Sequence, residues 1–450
     1  QDVVILSKRP ELNHYRNQTY DKLSPIPLIT KGWHHYKSKG DYFQIRICNE
    51  EQFIENLFWN DEKSSFSDLS LSENLVQALK KIDIIRPTKV QLDSIPTLLS
   101  GSNCLMTAET GCGKTLAYLI PAVEQCLRWL EMPNLCGRPP NTPLVLILTP
   151  SRELARQIGD VAISLSHHLP FSCYTLVGGR TKKKMLDPDY RSVDLMVASI
   201  GAVSKLTTMG IYDMSKVRHL ILDEADTLLD DSFSELLVRY LKKFKIRYKP
   251  HPKEELSNST QLTLVGATLP RSIYKTLQEF VETDSLVPIT SGRLHKVIPH
   301  ILQTFYRLGT TQKPPKLLYL VKEAVSRRQP VLIFSNKSKT SDWISLMLNE
   351  NNIETVQLNG DMPHIVREGK FLQFQNGRLD VLSCTDIASR GLDTIRAKCV
   401  INYDFPMYIA DYIHRCGRTG RIGGDHNSQI HNFVSGSREV NLVQKIEVSH

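Results

Sequence analysis

The chain has 450 residues, 41% of them hydrophobic, which is too long for one ordinary core and too apolar for a disordered chain. Lys and Arg number 56 against 47 Asp and Glu, a surplus that favours a polyanionic partner but on composition alone fits a plain solubilising surface nearly as well. No run of about eighteen apolar residues occurs, so no membrane-spanning helix is expected. The nine cysteines form no Cys-x-x-Cys pair and no Cys/His cluster at zinc spacing, and we read them as free thiols of a reducing compartment. The chain opens on Gln1 rather than Met, so a leader or boundary upstream is expected and any targeting peptide lies out of view.

Residues 1–60 read as an N-terminal extension. They hold Ser24-Pro25-Ile26-Pro27, a His/Tyr/Lys-rich stretch from Trp33 to Lys39, and an alternating run from Tyr42 to Ile47. The basic and aromatic mixture suits contact with RNA by stacking and charge, and equally a partly ordered extension lying on the first domain. From Phe66 the pattern becomes regular. Leu71 to Ile82 has helical apolar spacing, and Pro87-Thr88-Lys89-Val90-Gln91 opens a second helix.

Leu105 to Thr115 reads as a buried strand, a tight loop and a helix start. In the run Ala108-Glu109-Thr110-Gly111-Cys112-Gly113, glycines let backbone N–H groups curl around phosphate, and the next helix presents its positive end. Lys114 adds a full charge for the β- and γ-phosphates, and Thr115 a hydroxyl for Mg²⁺. Ala108 stands where such a loop usually begins with glycine. Further apolar runs at 144–148, 195–198, 219–222 and 262–265 alternate with helical material, which predicts a mainly parallel sheet buried on both faces. Directly after the third of them stands Asp223-Glu224-Ala225-Asp226. There Asp223 suits the Mg²⁺ shell, and Glu224 suits orienting or deprotonating an attacking water.

Taken together, these motifs from Phe66 to about Lys445 resemble the DEAD-box ATP-dependent RNA helicases, whose name residues 223–226 spell. The resemblance implies an α/β fold of two tandem RecA-like parallel-sheet domains after the extension: 61–288 with the phosphate loop, a linker at 289–299 around Ser291-Gly292-Arg293, and 300–450. It implies ATP and Mg²⁺ as cofactors. Phe66, Arg86, Thr88 and Gln91 look like the family's adenine-reading motif, with the Gln91 amide on the base edge and Phe66 over its face. Pro150, Arg152, Gly178, Gly179 and Gly201 look like RNA-backbone contacts. Gly266-Ala267-Thr268, with Asp226 and His414, stands where the family couples hydrolysis to RNA binding.

The second half restarts at Pro330-Val331-Leu332-Ile333-Phe334 and holds no phosphate loop of its own. In Asp386-Ile387-Ala388-Ser389-Arg390-Gly391-Leu392-Asp393 the resemblance assigns Asp393 to ribose, and Thr385 and Arg390 to RNA. In His414-Arg415-Cys416-Gly417-Arg418-Thr419-Gly420-Arg421 it makes Arg418 and Arg421 fingers on the γ-phosphate. Four positions depart from the family pattern: Gly266 for serine, Ser199-Ile200-Gly201-Ala202 for Thr-Pro-Gly-Arg, Asn359 for histidine, and Asp83-Ile84 for Gly-Phe. The first two bear on RNA grip, so we expect ATPase activity with weak unwinding of free duplexes.

Within the family the likeness is to the mitochondrial member associated with large-subunit assembly, through residues 226–230, Leu294-His295, 402–406 and 442–447. That implies the mitochondrial matrix, rRNA, ribosome-assembly factors and ribosomal proteins as partners, and a monomer outside the ribosomal assembly. Nucleus, nucleolus and cytoplasm stay open as locations. An RNA-binding assembly scaffold with incidental ATPase activity, and a DNA translocase, stay open as functions.

Overall fold

The structure, a computed structural model, describes residues 3–15, 18–21, 25–46, 64–108, 112–133, 137–178, 187–229, 234–247, 259–266, 277–279, 281–290, 301–386, 396–419 and 428–449. The strands in chain order are β1 (Val3–Ser7), β2 (His14–Tyr15), β3 (Tyr42–Ile45), β4 (Asn103–Thr107), β5 (Val145–Thr149), β6 (Cys173–Leu176), β7 (Leu195–Ser199) and β8 (His219–Leu222). They continue as β9 (Gln261–Gly266), β10 (Leu286–Thr290), β11 (Leu302–Arg307), β12 (Val331–Ser335), β13 (Thr355–Leu358), β14 (Val381–Thr385), β15 (Cys399–Asn402) and β16 (Gln429–Val434). The chain divides into two units, Glu55–Leu294 and the combination of Gln1–Ile54 with His295–His450.

The first of these units is built on seven parallel strands in the order β10-β4-β9-β8-β5-β7-β6. Every residue of β4, β5, β7, β8 and β9 is buried, which is why Val145–Leu148 reads as an unbroken apolar run rather than an alternating one, while the polar Asn103, His219, Gln261 and Thr263 enter the same interior hydrogen-bonded. At the edge, β10 extends the sheet to Thr290, into the stretch from 289 expected as linker. Pro288 is tolerated because an edge strand needs ladder bonds on one side only.

Asp83, at one of the departures noted above, terminates the helix Glu73–Lys81 in left-handed conformation at φ 61°. Asp83 N–H donates to Lys80 O at 3.2 Å and Ile84 N–H to Leu79 O at 2.9 Å, a turn that usually takes glycine. Asp is one of the few other residues that enters this region at modest cost.

The other unit carries a nine-stranded sheet, β13-β14-β12-β15-β16-β11-β3-β1-β2. Its first six strands are parallel; β3 then pairs antiparallel with β11, and β1 antiparallel with β3 and β2. The described part of the extension therefore belongs to the C-terminal unit and not, as one reading of its composition had it, to the first domain. It continues that unit's sheet, because alternation in β3 turns Phe43 and Ile45 inward. Phe43 stacks on Phe305 with centroids 4.7 Å apart, and the fully buried Trp33 packs on Phe43 at 5.5 Å. Arg307 Nε donates to Trp33 O at 2.8 Å. At the far end of the chain, the Glu447 carboxylate accepts from Ile29 N at 2.6 Å and from Thr30 Oγ1 at 2.6 Å.

The seven cysteines within the described residues, Cys104, Cys112, Cys126, Cys173, Cys384, Cys399 and Cys416, are free thiols. Among the described residues no helix is long and apolar enough to cross a membrane.

Candidate active site

Parallel strands bring their carboxyl ends to one edge of the sheet, and the candidate residues of the first unit follow those ends. β4 leads into Ala108, β8 into Asp223, β5 into Pro150 and Arg152, β6 toward Gly178, and β7 into Gly201, while β9 ends on Gly266. Thr107 lies beside Gly266 in register, and Leu222 beside Leu264. The phosphate loop and the acidic tetrapeptide thus leave strands separated only by β9, roughly 10 Å at the ordinary strand spacing.

Gly113 caps the helix Lys114–Leu130 at φ 90°. A Cβ there would stand 2.6 Å from Gln91 Nε2 and 3.1 Å from Thr88 Oγ1, so both conformation and space demand glycine. Lys114 Nζ donates to Ala108 O at 2.8 Å, and Ala108 N–H to Gly266 O at 3.2 Å. Glu109, Thr110 and Gly111 lie outside the described residues, as do Gly179, Ala267, Thr268, Arg390, Asp393 and Arg421.

Gln91 and Phe66, expected at the adenine, are both withdrawn from solvent. Gln91 is buried, its Oε1 accepting from Thr88 N at 2.9 Å and its Nε2 donating to Gly113 O at 3.1 Å. One acceptor and one donor of the amide are thereby spent on the phosphate loop and the turn before it. The Phe66 ring is only 2% exposed, held in the interior by a short turn that Ser65 and Asp68 cap reciprocally, so it presents no open face. Thr88 begins the Lys89–Leu99 helix with its N–H held by Gln91, while its buried hydroxyl finds no hydrogen-bond partner among the described residues. Arg86 is exposed.

Asp223 is buried and held from two sides. Tyr118 Oη donates to its Oδ2 at 2.8 Å, and Glu224 N–H to its Oδ1 at 2.8 Å. Burial pushes its carboxyl up to about 6, with Glu224 adding to the rise while the Tyr118 hydrogen bond and the Lys114 charge oppose it. The Thr115 hydroxyl also reaches the Tyr118 oxygen. Lys114, Thr115 and Asp223 therefore belong to one cluster organised by Tyr118, a residue that sequence reasoning missed. Its signal was position: four residues after Lys114 and three after Thr115, it lies on their face of the helix.

Glu224 occupies left-handed backbone at φ 49°, uncommon for a residue with a Cβ and worth about 1–2 kcal/mol of strain. Its Oε2 is buried and finds no hydrogen-bond partner among the described residues. An orphaned carboxylate oxygen beside a second carboxylate and a lysine fits a group that brings hydrogens or positive charge. Asp226 caps its own turn through Thr227 N at 3.1 Å.

Among the residues expected at RNA, Arg152 and Gly178 meet: a Cβ at 178 would lie 3.0 Å from Arg152 Nη2. Gly201 is exposed with open space around it, whereas Ala202, the site of the missing cation, is 3% exposed and packed with Ile200, Val203 and Leu206.

In the C-terminal unit Thr385 ends β14, and Asp386 follows it. The helix Ile409–Cys416 buries Arg415 to 1% exposure. Its guanidinium donates to Asp386 Oδ1 and Oδ2, Asp404 O, Asn336 Oδ1 and Asn402 Oδ1. Arg418 is buried just beyond the end of that helix, its N–H donating to Arg415 O at 3.2 Å. His414 precedes this hub. Arg415 and Asp386 were not singled out from sequence, where an arginine in a glycine-rich stretch has no mark distinguishing a buried hub from a finger.

A parallel sheet with a Gly-Lys-Thr loop, an Asp-Glu-Ala-Asp turn and a second parallel-sheet unit defines a two-domain ATP-dependent helicase. The DEAD/DEAH box helicase family matches residues 88–276 and the helicase conserved C-terminal domain residues 312–423, and the chain belongs to the DEAD-box ATP-dependent RNA helicases. It is 39% identical to the probable ATP-dependent RNA helicase DDX28 of Mus musculus over 99% of this chain and 84% of that protein, and 38% identical to the Homo sapiens protein of the same name over the same shares. The DEAD-box ATP-dependent RNA helicase 39 of Arabidopsis thaliana is 32% identical over 80% of this chain and 57% of that one. In fold, the chain matches Mss116p bound to single-stranded RNA and AMP-PNP with a TM-score of 0.71 at 21% identity, over 87% of this chain and 79% of that one. It matches S. cerevisiae Dbp5 bound to RNA and ADP BeF3 with a TM-score of 0.66 at 23% identity, over 86% and 93%.

Proposed function

We propose that this helicase hydrolyses ATP when it binds RNA, and that the orphaned Glu224 carboxylate carries the chemistry. Backbone N–H groups after Ala108 and the Lys114 ammonium hold the β- and γ-phosphates. Glu224 orients a water and takes its proton as the water oxygen bonds to the γ-phosphorus. The bond from that phosphorus to the bridging oxygen breaks, leaving ADP and phosphate. Arg418 and Arg421 offset charge on the transferring phosphoryl group.

The donor set fits a hard cation: Thr115 Oγ1 and the Asp223 carboxylate are oxygen ligands, and Mg²⁺ is commonly held by one or two carboxylates plus phosphate. When bound there it supplies charge neutralisation at the phosphates. Tyr118 fixes the carboxylate that would hold it.

We assign Pro150, Arg152, Gly178, Gly179, Gly201, Thr385 and Arg390 to the RNA backbone, and Arg86, Thr88, Gln91 and Asp393 to the nucleoside. Gly266, Ala267, Thr268, Asp226 and His414 couple the two events. The substrate RNA is mitochondrial large-subunit rRNA, met in the matrix among ribosome-assembly factors and ribosomal proteins, a reading supported by the sequence likeness at residues 226–230 and 402–406. Sedimentation of the tagged protein with large-subunit precursors tests it.

Glu224→Gln should lower RNA-stimulated phosphate release by about 10²–10⁴-fold while ATP and RNA still bind. Stimulation by DNA as strong as by RNA would favour a DNA translocase instead. A second reading, an RNA-binding assembly scaffold, draws on Gly266 and Ala202. It gains if Glu224→Gln restores subunit assembly in cells lacking the protein.

A further inference from the structure

We propose that the turn at 31–39 of the N-terminal extension is a second RNA-binding surface, separate from the residues assigned above and resting on the reading of this chain as an RNA helicase. Between Pro25 and Gly40 there are three lysines and two histidines and no carboxylate. Lys31, Lys37 and Lys39 are exposed, and none pairs with a carboxylate among the described residues. The nearest acidic residue in sequence, Asp41, is occupied by Arg9 at 3.0 Å and by Trp33 Nε1 at 2.9 Å. The Glu447 carboxylate at the base of the turn is likewise engaged, by Ile29 N, Thr30 N and Thr30 Oγ1, so the three ammonium groups face solvent without a carboxylate of their own among the described residues.

Between those lysines lie exposed rings. Tyr36 is 67% exposed, and the His35 and Tyr36 rings sit 4.6 Å apart, tilted by 32°. An aromatic face left in water next to ammonium groups is what single-stranded nucleic acid uses: bases stack while phosphates find cations. A protein partner covering an apolar patch would ask for aliphatic neighbours, and here the neighbours are Lys, His and Ser.

The turn is also held in place. Trp33 anchors it below, Gly40 N–H donates to Arg307 O at 2.8 Å, and Glu447 fixes Ile29 and Thr30 where it begins. Ser38 Oγ donates to Trp33 O at 3.1 Å, and His35 Nδ1 accepts from Lys37 N at 3.2 Å. Binding RNA there does not require ordering the backbone first, a cost that an unanchored basic tail would carry.

The test is fluorescence anisotropy of a labelled single-stranded RNA of about 20 nucleotides against the full chain, in a series of KCl concentrations. The quadruple substitution Lys31→Ser, Tyr36→Ala, Lys37→Ser, Lys39→Ser should weaken binding about ten-fold and lower the salt slope by about 2, as three lost phosphate contacts require. ATP turnover without RNA should stay unchanged, and Lys→Arg replacements at the same three positions should keep the affinity. Ultraviolet crosslinks should map to the peptide 31–39 in the wild type. Unchanged RNA affinity and slope in the quadruple variant overturn the proposal, as does loss of binding only to anionic vesicles or to an acidic protein. If the wild type shows RNA-stimulated ATPase while these substitutions do nothing, only the second surface fails. If RNA does not stimulate the wild type, the proposed function fails first.

Discussion

Arg415 grips both oxygens of Asp386, Nε to Oδ1 and Nη2 to Oδ2 at 2.6 Å each, in the interior of the C-terminal unit. The remaining guanidinium protons go to Asp404 O, Asn336 and Asn402, so this arginine is a structural hub with no N–H left for a phosphate. Replacing it by Met should destabilise the protein by about 3–5 kcal/mol, because Asp386 and three other acceptors lose a shared partner. Urea denaturation of the full chain checks this, and a loss below about 1 kcal/mol would contradict it.

Tyr118 fixes Asp223 by one charge-assisted hydrogen bond of 2.8 Å. Tyr118→Phe keeps the ring in its buried place and deletes only the donor. Such bonds contribute about 1.5–3 kcal/mol, so kcat/KM for ATP should drop by about 10- to 100-fold, and half-saturation by Mg²⁺ should rise. A variant whose Mg²⁺ titration overlays the wild type would show that Asp223 needs no such support.

His219 is buried between Gln125 Oε1 at 2.9 Å and Thr263 Oγ1 at 2.8 Å. Burial, with the Arg247 charge acting in the same direction, holds its pKa down to about 3. The unfolded chain takes up this proton near pH 6.5, and the folded chain does not. The stabilisation is therefore complete above about pH 6.5 and lost as pH falls toward 3, with a slope of about 1.4 kcal/mol per pH unit. His219→Gln should flatten the pH dependence of stability between about pH 6 and 4.5 by that slope, measured by urea titration at several pH values.

Gly266 ends β9 beside Thr107, and its carbonyl accepts from Ala108 N–H. It lacks the hydroxyl expected at this position for coupling. The wild type should turn over ATP on RNA yet displace short duplexes weakly, and Gly266→Ser should raise displacement several-fold with little change in ATPase rate. Robust unwinding by the wild type in a strand-displacement assay would refute this.

The parts of this architecture legible in the sequence are those fixed by neighbours in the chain. The runs at 144–148 and 262–265 announced themselves because strands buried on both faces admit mainly apolar residues, and Gly113-Lys114-Thr115 because a loop that wraps phosphate needs particular residues in adjacent positions. The partner of the extension was not legible: Gln44 meets Thr304 across 260 residues, and nothing in either segment names the other. Tyr118 and Arg415 escaped for the same reason, since what makes them important is a carboxylate supplied by another strand end. Gln91 and Phe66 were noticed by pattern, but their burial depended on how the 66–91 segment packs.

The pairing of β3 with β11 also sets a timetable for synthesis. The ribosome delivers Phe43 and Trp33 long before Phe305 exists, so β3 emerges with β1 to pair on one side and an open edge on the other while the whole intervening unit is made. Until translation passes residue 307, the nascent chain carries Phe43 and Ile45 on an edge strand without its β11 partner, the kind of exposed edge that invites mispairing. A chain released before that point would hold the phosphate-loop segment beside a strand edge that nothing covers.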